Sequence, residues 1–495
     1  MLFQRLAFTF FFAINVFAVS PSAVTRKIAS LIQESSAVQH GRFGFEFVDV
    51  DSGQVLASLD SAHFFTPASN AKLYTTALAL VRLGPNYTFQ TELRTTGSWA
   101  PGQPTLSGLQ LIGGGDPNLS GRVLPYAVDS VDGDPLAPLK DLASKVAAAG
   151  VRAIDGDITG IATRYPGSPY PDGWTIDDSL YSYGAPVSAL ALNDNTVAVT
   201  VYPSELGQLA GIELRPPSSY FVILNEVLTD PSSRTDIHVA RSPGSEEIVL
   251  WGAIGSTASR WREDLAVDNP ALFAAEALVD ALREAGVVVR GVARSQYLDA
   301  SEIAGKSLAN AGAVLARHDS VPLSEELQVI NKVSQNLHAE MLLREVAHVL
   351  RGVGTLEAGL AERDAFLQEI GITRDGSGFS LDDGSGLARQ DLTTPQSTVA
   401  LLRYMWQRPD RDVWLQSLPI GGVDGSLEHR FHKIPGAKRV HAKTGSLSHV
   451  NALSGYIETG RHRWLAFSVM VNATPGHDSE VRNFIDRLCA LFLDD

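Results

Sequence analysis

A helix-like stretch near the N-terminus, TPASNAKLYTTALAL (Thr66 to Leu80), stops at Gly84-Pro85, and the chain does not become mainly helical again until about residue 325. That interruption constrains the fold more than any other feature. Between the two helical regions lie short apolar runs punctuated by Gly and Pro: YTFQTELRTTG, GLQLIGGG, NTVAVTVYP and EEIVLWGAI. They read as strands. Two helices break the series. PLKDLASKVAAAG ends at Gly150, and NPALFAAEALVDALREAG carries Asn269 as N-cap, Pro270 at the first helical position and Gly286 as terminator. Before the first helix, RFGFEFVDVDSGQVLASLD alternates around Asp51-Ser52-Gly53, a hairpin signal. The last hundred residues predict three successive antiparallel strands, KRVHAKTGSL, NALSGYIETG and RWLAFSVMVNA, then a helix from about Ser479 to Leu493. A chain of 495 residues has room for about three domains.

Composition limits the function classes. Hydrophobic residues make up 44% and charged residues 19%, the balance of a globular protein rather than a disordered one. A net charge of −15 argues against nucleic acid as the main partner and against a general attraction to anionic membranes. The N-terminus, MLFQRLAFTFFFAINVFAVSPSA, has one early Arg and a short apolar run. It reads as a secretory signal peptide over residues 1–18. Cys489 is the single cysteine, so an internal disulfide is impossible and the cores alone must hold the fold. No later segment is long and apolar enough for a membrane span. The final helix carries an apolar stripe of Val481, Phe484, Ile485, Leu488, Leu491 and Phe492. A membrane-surface anchor should carry basic residues on its polar face. This one runs into Asp494-Asp495, so packing on the neighbouring sheet is expected.

Three short polar motifs carry chemistry. Ser69-Asn70-Ala71-Lys72 falls in the first turn of the predicted Thr66–Leu80 helix, with Thr66 expected as N-cap and Pro67 at the first helical position. Unpaired N–H groups and the helix dipole favour negative charge there. Lys72, three residues on, lies over the same face as the Ser69 hydroxyl. A lysine among apolar groups loses some of its preference for the charged form and can take the serine proton. Serine and lysine often meet at this spacing by chance, but Ser-x-x-Lys occurs once in this chain.

Ser334-Gln335-Asn336 sits in the helix-rich stretch. If it is a helix connection, its hydroxyl could relay a proton and its amide could bind a carbonyl and fix a lysine; alone it could equally be a solvated turn. Lys443-Thr444-Gly445-Ser446 ends a predicted strand. Gly445 permits close approach of another backbone, a lysine with hydroxyls suits a carboxylate, and an edge strand can pair with an extended peptide. Alone, it is a basic residue before a turn.

Together, Ser-x-x-Lys, Ser-x-Asn and Lys-Thr-Gly each occur once, in that order. The set resembles the penicillin-binding proteins and the related serine β-lactamases. The spacing narrows this further. Ser69 and Ser334 are 265 residues apart, whereas Ser334 and Lys443 are 109 apart. The first gap exceeds one domain, so the chain must leave the catalytic domain after the Ser69 helix and later return. This is similar to the type-4 (class C low-molecular-mass) penicillin-binding proteins, the D-Ala-D-Ala carboxypeptidase/endopeptidase family. LIGGGDPNLS, YGAPVSALALNDN and DDGSGLARQDLTTP also look like segments of that family, so the likeness spans nearly the whole mature chain. Gln335 departs from it, standing where members often carry Asp.

The resemblance implies an α+β fold: a penicillin-binding transpeptidase/β-lactamase-like domain, an antiparallel sheet flanked by helices, with two mainly β or α+β domains inserted after the Ser69 helix. Residues 24–94 and 300–495 would form the catalytic domain, 95–185 and 262–299 one inserted domain, and 186–261 the second. It implies that Ser69, deprotonated by Lys72, attacks the carbonyl between two D-alanines of a peptidoglycan stem peptide or cross-link. The backbone N–H groups of Ser69 and Ser446 would form the oxyanion hole. Ser334, near Lys72 and Lys443, would pass the proton to the leaving amine. Asn336 would hold the substrate amide, and Lys443, Thr444, Gly445 and Ser446 would line the subsite for the terminal carboxylate. β-Lactams would acylate Ser69 and leave slowly. No cofactor and no metal are implied, and the enzyme would work in the periplasm without a transmembrane anchor. Asp383 and Arg389 either brace the site or belong to a plain turn.

Other readings fit less well. GGGD lacks the Gly-Lys-Ser/Thr of a phosphate loop, and the 12 histidines show no clustered ligand spacing. A β-lactamase would use the same groups but has no need of a large insertion. A membrane-bound transpeptidase would need an anchor, and a non-catalytic wall-binding protein has no reason to keep Ser69, Lys72, Ser334 and Lys443 together.

Overall fold

The hairpin expected at Arg42–Asp60 forms, and it completes a sheet begun at the other end of the chain. The computed structural model describes residues 23–232, 234–299, 312–374, 378–475 and 478–493. The proposed signal peptide and Asp494-Asp495 lie outside these residues. Five antiparallel strands run in the order Val440–Leu447, Val450–Glu458, Trp464–Asn472, Arg42–Asp49, Val55–Leu59. Arg42 pairs with Asn472 and Asp49 with Leu465, so the N-terminal and C-terminal segments share one ladder.

Alternate residues of these strands feed two cores. On one face, Phe47, Phe467, Val469 and Leu453 meet the C-terminal helix Asp478–Ala490. Phe47 stacks on Phe492 with ring centroids 4.1 Å apart. Val481, Phe484, Ile485 and Leu488 are buried there, so this helix packs on the sheet as its sequence predicted. On the other face, Val48, Tyr456 and Ala466 meet the helices Ala71–Leu83, Asn336–Arg351 and Pro395–Trp406. Among the described residues, no helix is long and apolar enough to cross a membrane.

After Leu83 the chain leaves this body. Gln90–Thr95, Leu109–Ile112, Ile158–Ile161, Ala293–Gln296 and Val314–Asp319 form a mixed sheet, with Val314–Asp319 antiparallel to Gln90–Thr95. The helices Ala137–Ala148 and Pro270–Glu284 bury Leu139, Leu142, Phe273 and Leu278 in its core. The side chain of Asn269 caps the second helix by accepting from the Leu272 N–H at 3.1 Å. Farther along, Thr196–Tyr202 pairs with Gly211–Arg215 and Trp261–Ala266. Glu247–Gly255 pairs with Val222–Asp230 and Asp236–Ala240. The chain re-enters the first body at the helix Leu323–Gln328.

One expectation is corrected. Thr66 does not cap the Ser69 helix, and Pro67 does not open it. Ala68–Asn70 form a 3₁₀ turn and the α-helix begins at Ala71. Thr66 is held elsewhere: its N–H donates to Asn472 Oδ1 at 2.8 Å and its carbonyl accepts from Asn472 Nδ2 at 3.2 Å. Ala68 then enters the turn with a left-handed φ of 48°.

Candidate active site

Ser69 lies in that 3₁₀ turn, half-buried, with Lys72 one turn on and fully buried. Lys72 Nζ is 2.9 Å from Ser69 Oγ, 2.5 Å from Asn336 Oδ1 and 2.7 Å from the Ser385 carbonyl oxygen. Burial disfavours the ammonium, and the charges of Asp383, Glu340 and Asp391 only partly restore it, so the pKa falls to about 7. A neutral amine has two N–H groups, which Asn336 and Ser385 can accept. Its lone pair is then left for the Ser69 hydroxyl proton.

Ser334 follows a π-helical turn, Val329–Val333, and adopts a left-handed conformation with φ 68°. Single π turns recur at functional sites, and a left-handed serine costs backbone energy. The result is that Ser334 Oγ accepts from Lys443 Nζ at 2.8 Å. Lys443 is fully buried and also donates to the Thr444 carbonyl at 3.0 Å. Burial first, and the Lys72 charge second, push its pKa well below the usual lysine range. Asn336 uses both ends of its amide: Oδ1 faces Lys72, and Nδ2 donates to the Tyr183 carbonyl at 2.7 Å.

Lys443, Thr444, Gly445 and Ser446 lie on the edge strand Val440–Leu447. This strand runs against the Ser69 turn. A Cβ at Gly445 would lie 2.5 Å from the Pro67 carbonyl oxygen and 2.7 Å from Asn70 Nδ2, so only glycine permits the approach. Thr444 Oγ1 donates to Ser426 Oγ at 2.7 Å, and Ser446 is exposed.

Beneath Lys72 lies the Gly-rich turn after Asp383. Asp383 is fully buried and accepts from the N–H groups of Ser385, Gly386 and Ala388, from Ser385 Oγ and from Trp174 Nε1. It thereby fixes the carbonyl that Lys72 meets. Asp391 is pushed well up by burial and then by the Asp383 charge, whereas against the cost of burial hydrogen bonds hold Asp383 below the usual carboxylate range. Burial, then the Asp383 charge, also raises Glu340 to about 7. Arg389 does not share in the bracing seen for Asp383; its side chain is exposed.

The structure thus joins Ser69, Lys72 and Asn336 in one set of polar contacts, and Ser334 and Lys443 in a second. Sequence reasoning missed Ser385, Trp174, Tyr183, Asp194, His338 and Glu340. Ser385, Tyr183 and Asp194 fall in segments flagged by resemblance, so a signal for them existed. Trp174, His338 and Glu340 carried none.

The sequence profile of the D-Ala-D-Ala carboxypeptidase 3 (S13) family matches residues 24–492. The chain belongs to that family. It is a serine-type D-Ala-D-Ala carboxypeptidase, a hydrolase acting on peptidoglycan peptides. The S13 match is supported by a D-alanyl-D-alanine carboxypeptidase of Actinomadura sp. (strain R39), 33% identical over 469 residues, covering 91% of this chain and 81% of the relative. The D-alanyl-D-alanine carboxypeptidase DacB of Haemophilus influenzae is 26% identical, over 95% of this chain and 93% of its own. Among solved structures, penicillin binding protein 4 (dacB) from Haemophilus influenzae superposes with a TM-score of 0.80 at 23% identity, covering 94% of this chain and 99% of that one. The S13 chain therefore has the penicillin-binding α+β fold that the motifs implied.

Proposed function

We propose that this S13 carboxypeptidase cleaves the bond between two D-alanines with Ser69 as nucleophile and Lys72 as its base. The observation that carries this is the buried Lys72 amine, 2.9 Å from Ser69 Oγ with its other contacts taken by Asn336 and Ser385. Ser69 Oγ bonds to the carbonyl carbon as its proton passes to Lys72. The backbone N–H groups of Ser69 and Ser446 stabilise the oxyanion, each worth about 2.7–4 kcal/mol. Ser334, hydrogen-bonded to Lys443, passes the proton to the leaving amine and D-alanine departs. Water then cleaves the acyl-enzyme. Lys443, Thr444, Gly445 and Ser446 form the subsite for the substrate's terminal carboxylate, and Asn336 binds its amide. Opening of a cross-link by the same attack on a D-alanine carbonyl is the endopeptidase form of this reaction.

β-Lactams fit the same course, and penicillin binding protein 4 from Haemophilus influenzae has been solved in complex with one. The catalytic part is assigned to residues 24–94 and 300–495, with 95–185 and 262–299 as one inserted domain and 186–261 as the second. Strand pairing favours ending the first catalytic segment before Gln90, moving the return past Asp319 and giving Trp261–Ala266 to the second insert. The substrate lies outside the cytoplasm. The periplasm is the compartment we assign, on the strength of the signal peptide read from the sequence of residues 1–18.

Intact mass during incubation with benzylpenicillin, with Ser69→Ala alongside, tests the assignment. A lasting one-to-one adduct, absent from the variant, is the expected result. Consumption of penicillin without an adduct would mean a β-lactamase; penicillin left intact and no adduct would overturn the mechanism.

A further inference from the structure

One buried charge cluster takes no part in the chemistry above, yet it touches the Ser334–Asn336 loop directly. His338, two residues past Asn336, is completely buried. Its Nε2 lies 2.9 Å from Asp194 Oδ1 and its Nδ1 2.8 Å from Glu326 Oε1. With a carboxylate on each nitrogen, both nitrogens donate and the ring is an imidazolium. Burial opposes that charge, but Glu326 and Asp194 outweigh it and hold the pKa at about 9. Asp194 also accepts from Arg122 at 2.6 Å and from Gln335 Nε2 at 2.8 Å. Glu326 in turn accepts from Asn118. Two cations and two carboxylates thus compensate one another, His338 and Glu326 fully buried, Arg122 and Asp194 at the rim.

The shape of this cluster says what it does. Asp194 sits in a run of three left-handed residues, with φ 51° at Asn193, 57° at Asp194 and 55° at Asn195. Such a run is costly and persists only where its surroundings impose it. Here Asn195 imposes it: fully buried, it donates to the Pro186 carbonyl at 2.9 Å and accepts from the Leu192 N–H at 3.2 Å. The turn aims Asp194 at Gln335 and His338. The other end of the same segment offers the Tyr183 carbonyl to Asn336 Nδ2 at 2.7 Å. One stretch of inserted chain, residues 183–195, therefore holds the loop at Asn336 and, on either side of it, at Gln335 and His338.

We propose that Asp194, with His338 and Gln335, is a positioning group for acylation: the insert grips the loop so that Ser334 and Asn336 stay within reach of Lys443 and Lys72. This rests on the roles given above to Ser334 and Asn336. The insertion is thereby part of the catalytic apparatus and not only an appendage to it. An amide suits position 335: its N–H donates to Asp194, whereas an acid there would face that carboxylate.

The test is stopped-flow acylation of the full chain by a chromogenic cephalosporin, with wild type beside Asp194→Ala and Gln335→Glu and with Tm measured for each. A displacement of about 1 Å at a reacting group can cost roughly a hundredfold in rate. We expect the first-order acylation constant to fall at least tenfold in Asp194→Ala, with pre-covalent binding changed much less and a one-to-one adduct still reached. Gln335→Glu should slow acylation in the same sense without disturbing any buried packing. If Asp194→Ala does not fold, Gln335→Glu decides. Wild-type acylation constants in the folded variants, whatever their Tm, would overturn the proposal. No adduct in wild type would instead overturn the Ser69 assignment on which it rests.

Discussion

The Ser69–Lys72 pair and the Ser334–Asn336 loop meet at the Lys72 amine but are built in opposite ways. The pair is local. Ser69 and Lys72 are three residues apart, and the helix that carries Lys72 is buried by apolar contacts along Leu73, Tyr74, Ala77 and Leu78. The loop is not. Ser334 is left-handed after a π turn, and its neighbours are held by Tyr183 and Asp194, residues 141 to 153 positions earlier in the chain. A nucleophile and its base can be specified in four residues because one helical turn sets their distance. A loop that sets Ser334 against Lys443 and Asn336 against Lys72, two lysines on two different elements, gains from contacts outside its own helix. Here those contacts come from Asp194 and Tyr183.

The largest effect should come from breaking the local half. Lys72→Met keeps the volume and removes the base, so acylation by benzylpenicillin should fall about a thousandfold, within the range for a lost general base. The protein should stay folded, because the substitution also removes a buried amine with a large desolvation cost. In wild type, burial lowers Lys72 from the ordinary value to about 7, so the neutral base gains population as pH rises through that point. The second-order acylation rate should therefore rise from about pH 5 and level off above about pH 8. A rate that keeps climbing toward the ordinary lysine range would show that burial does not set this base.

Next in size is a break at the place where the edge strand meets the Ser69 turn. At Gly445 a methyl group would lie 2.5 Å from the Pro67 carbonyl oxygen, which is backbone and cannot swing away. Gly445→Ala must push the Lys443 strand outward. Stability should drop by about 1–3 kcal/mol, as for overpacking elsewhere. Acylation should fall roughly a hundredfold as Ser446 and Lys443 shift relative to Ser69. Chemical denaturation and acylation kinetics on the same samples measure both. Unchanged kinetics beside a clear loss of stability would mean that the strand's distance from the turn does not matter to the reaction.

The same contrast explains what was legible in the sequence. The hairpin, the three C-terminal strands and the packed final helix all follow from alternation or from a single apolar stripe, and all are present. The Ser69–Lys72 distance followed from helical spacing. Thr66 was misjudged because Asn472, 406 residues away, takes both its backbone groups. Local capping preference cannot register such a competitor. His338 looked like one histidine among many; its two carboxylate partners lie 12 and 144 residues off, so no spacing rule finds them. The sequence did mark Ser334 and Asn336 as polar residues in an apolar run, but the positive φ of Ser334 came from the turn before it. The parallel pairing of Leu109–Ile112 with Ile158–Ile161 was equally hidden, because short strands do not announce their neighbours.

The smallest effect sharpens the comparison from the other side. If the insert serves the site through its contacts with the loop, loosening it elsewhere should leave the chemistry alone. Asn269 is suited to this. It caps the helix Pro270–Glu284, accepts from the Tyr297 hydroxyl at 2.9 Å, and donates to Ser295 Oγ at 3.0 Å, among groups the catalytic contacts do not include. Asn269→Ala should cost about 1–2 kcal/mol in urea unfolding, from a lost cap and its neighbouring hydrogen bonds. Acylation constants should stay within about twofold of wild type, since no group near Ser69 or Ser334 moves. A rate loss that followed the loss of stability would mean that the whole insert, through its rigidity, sets the loop. In that case Asp194 would be one support among many instead of the point through which the insert acts.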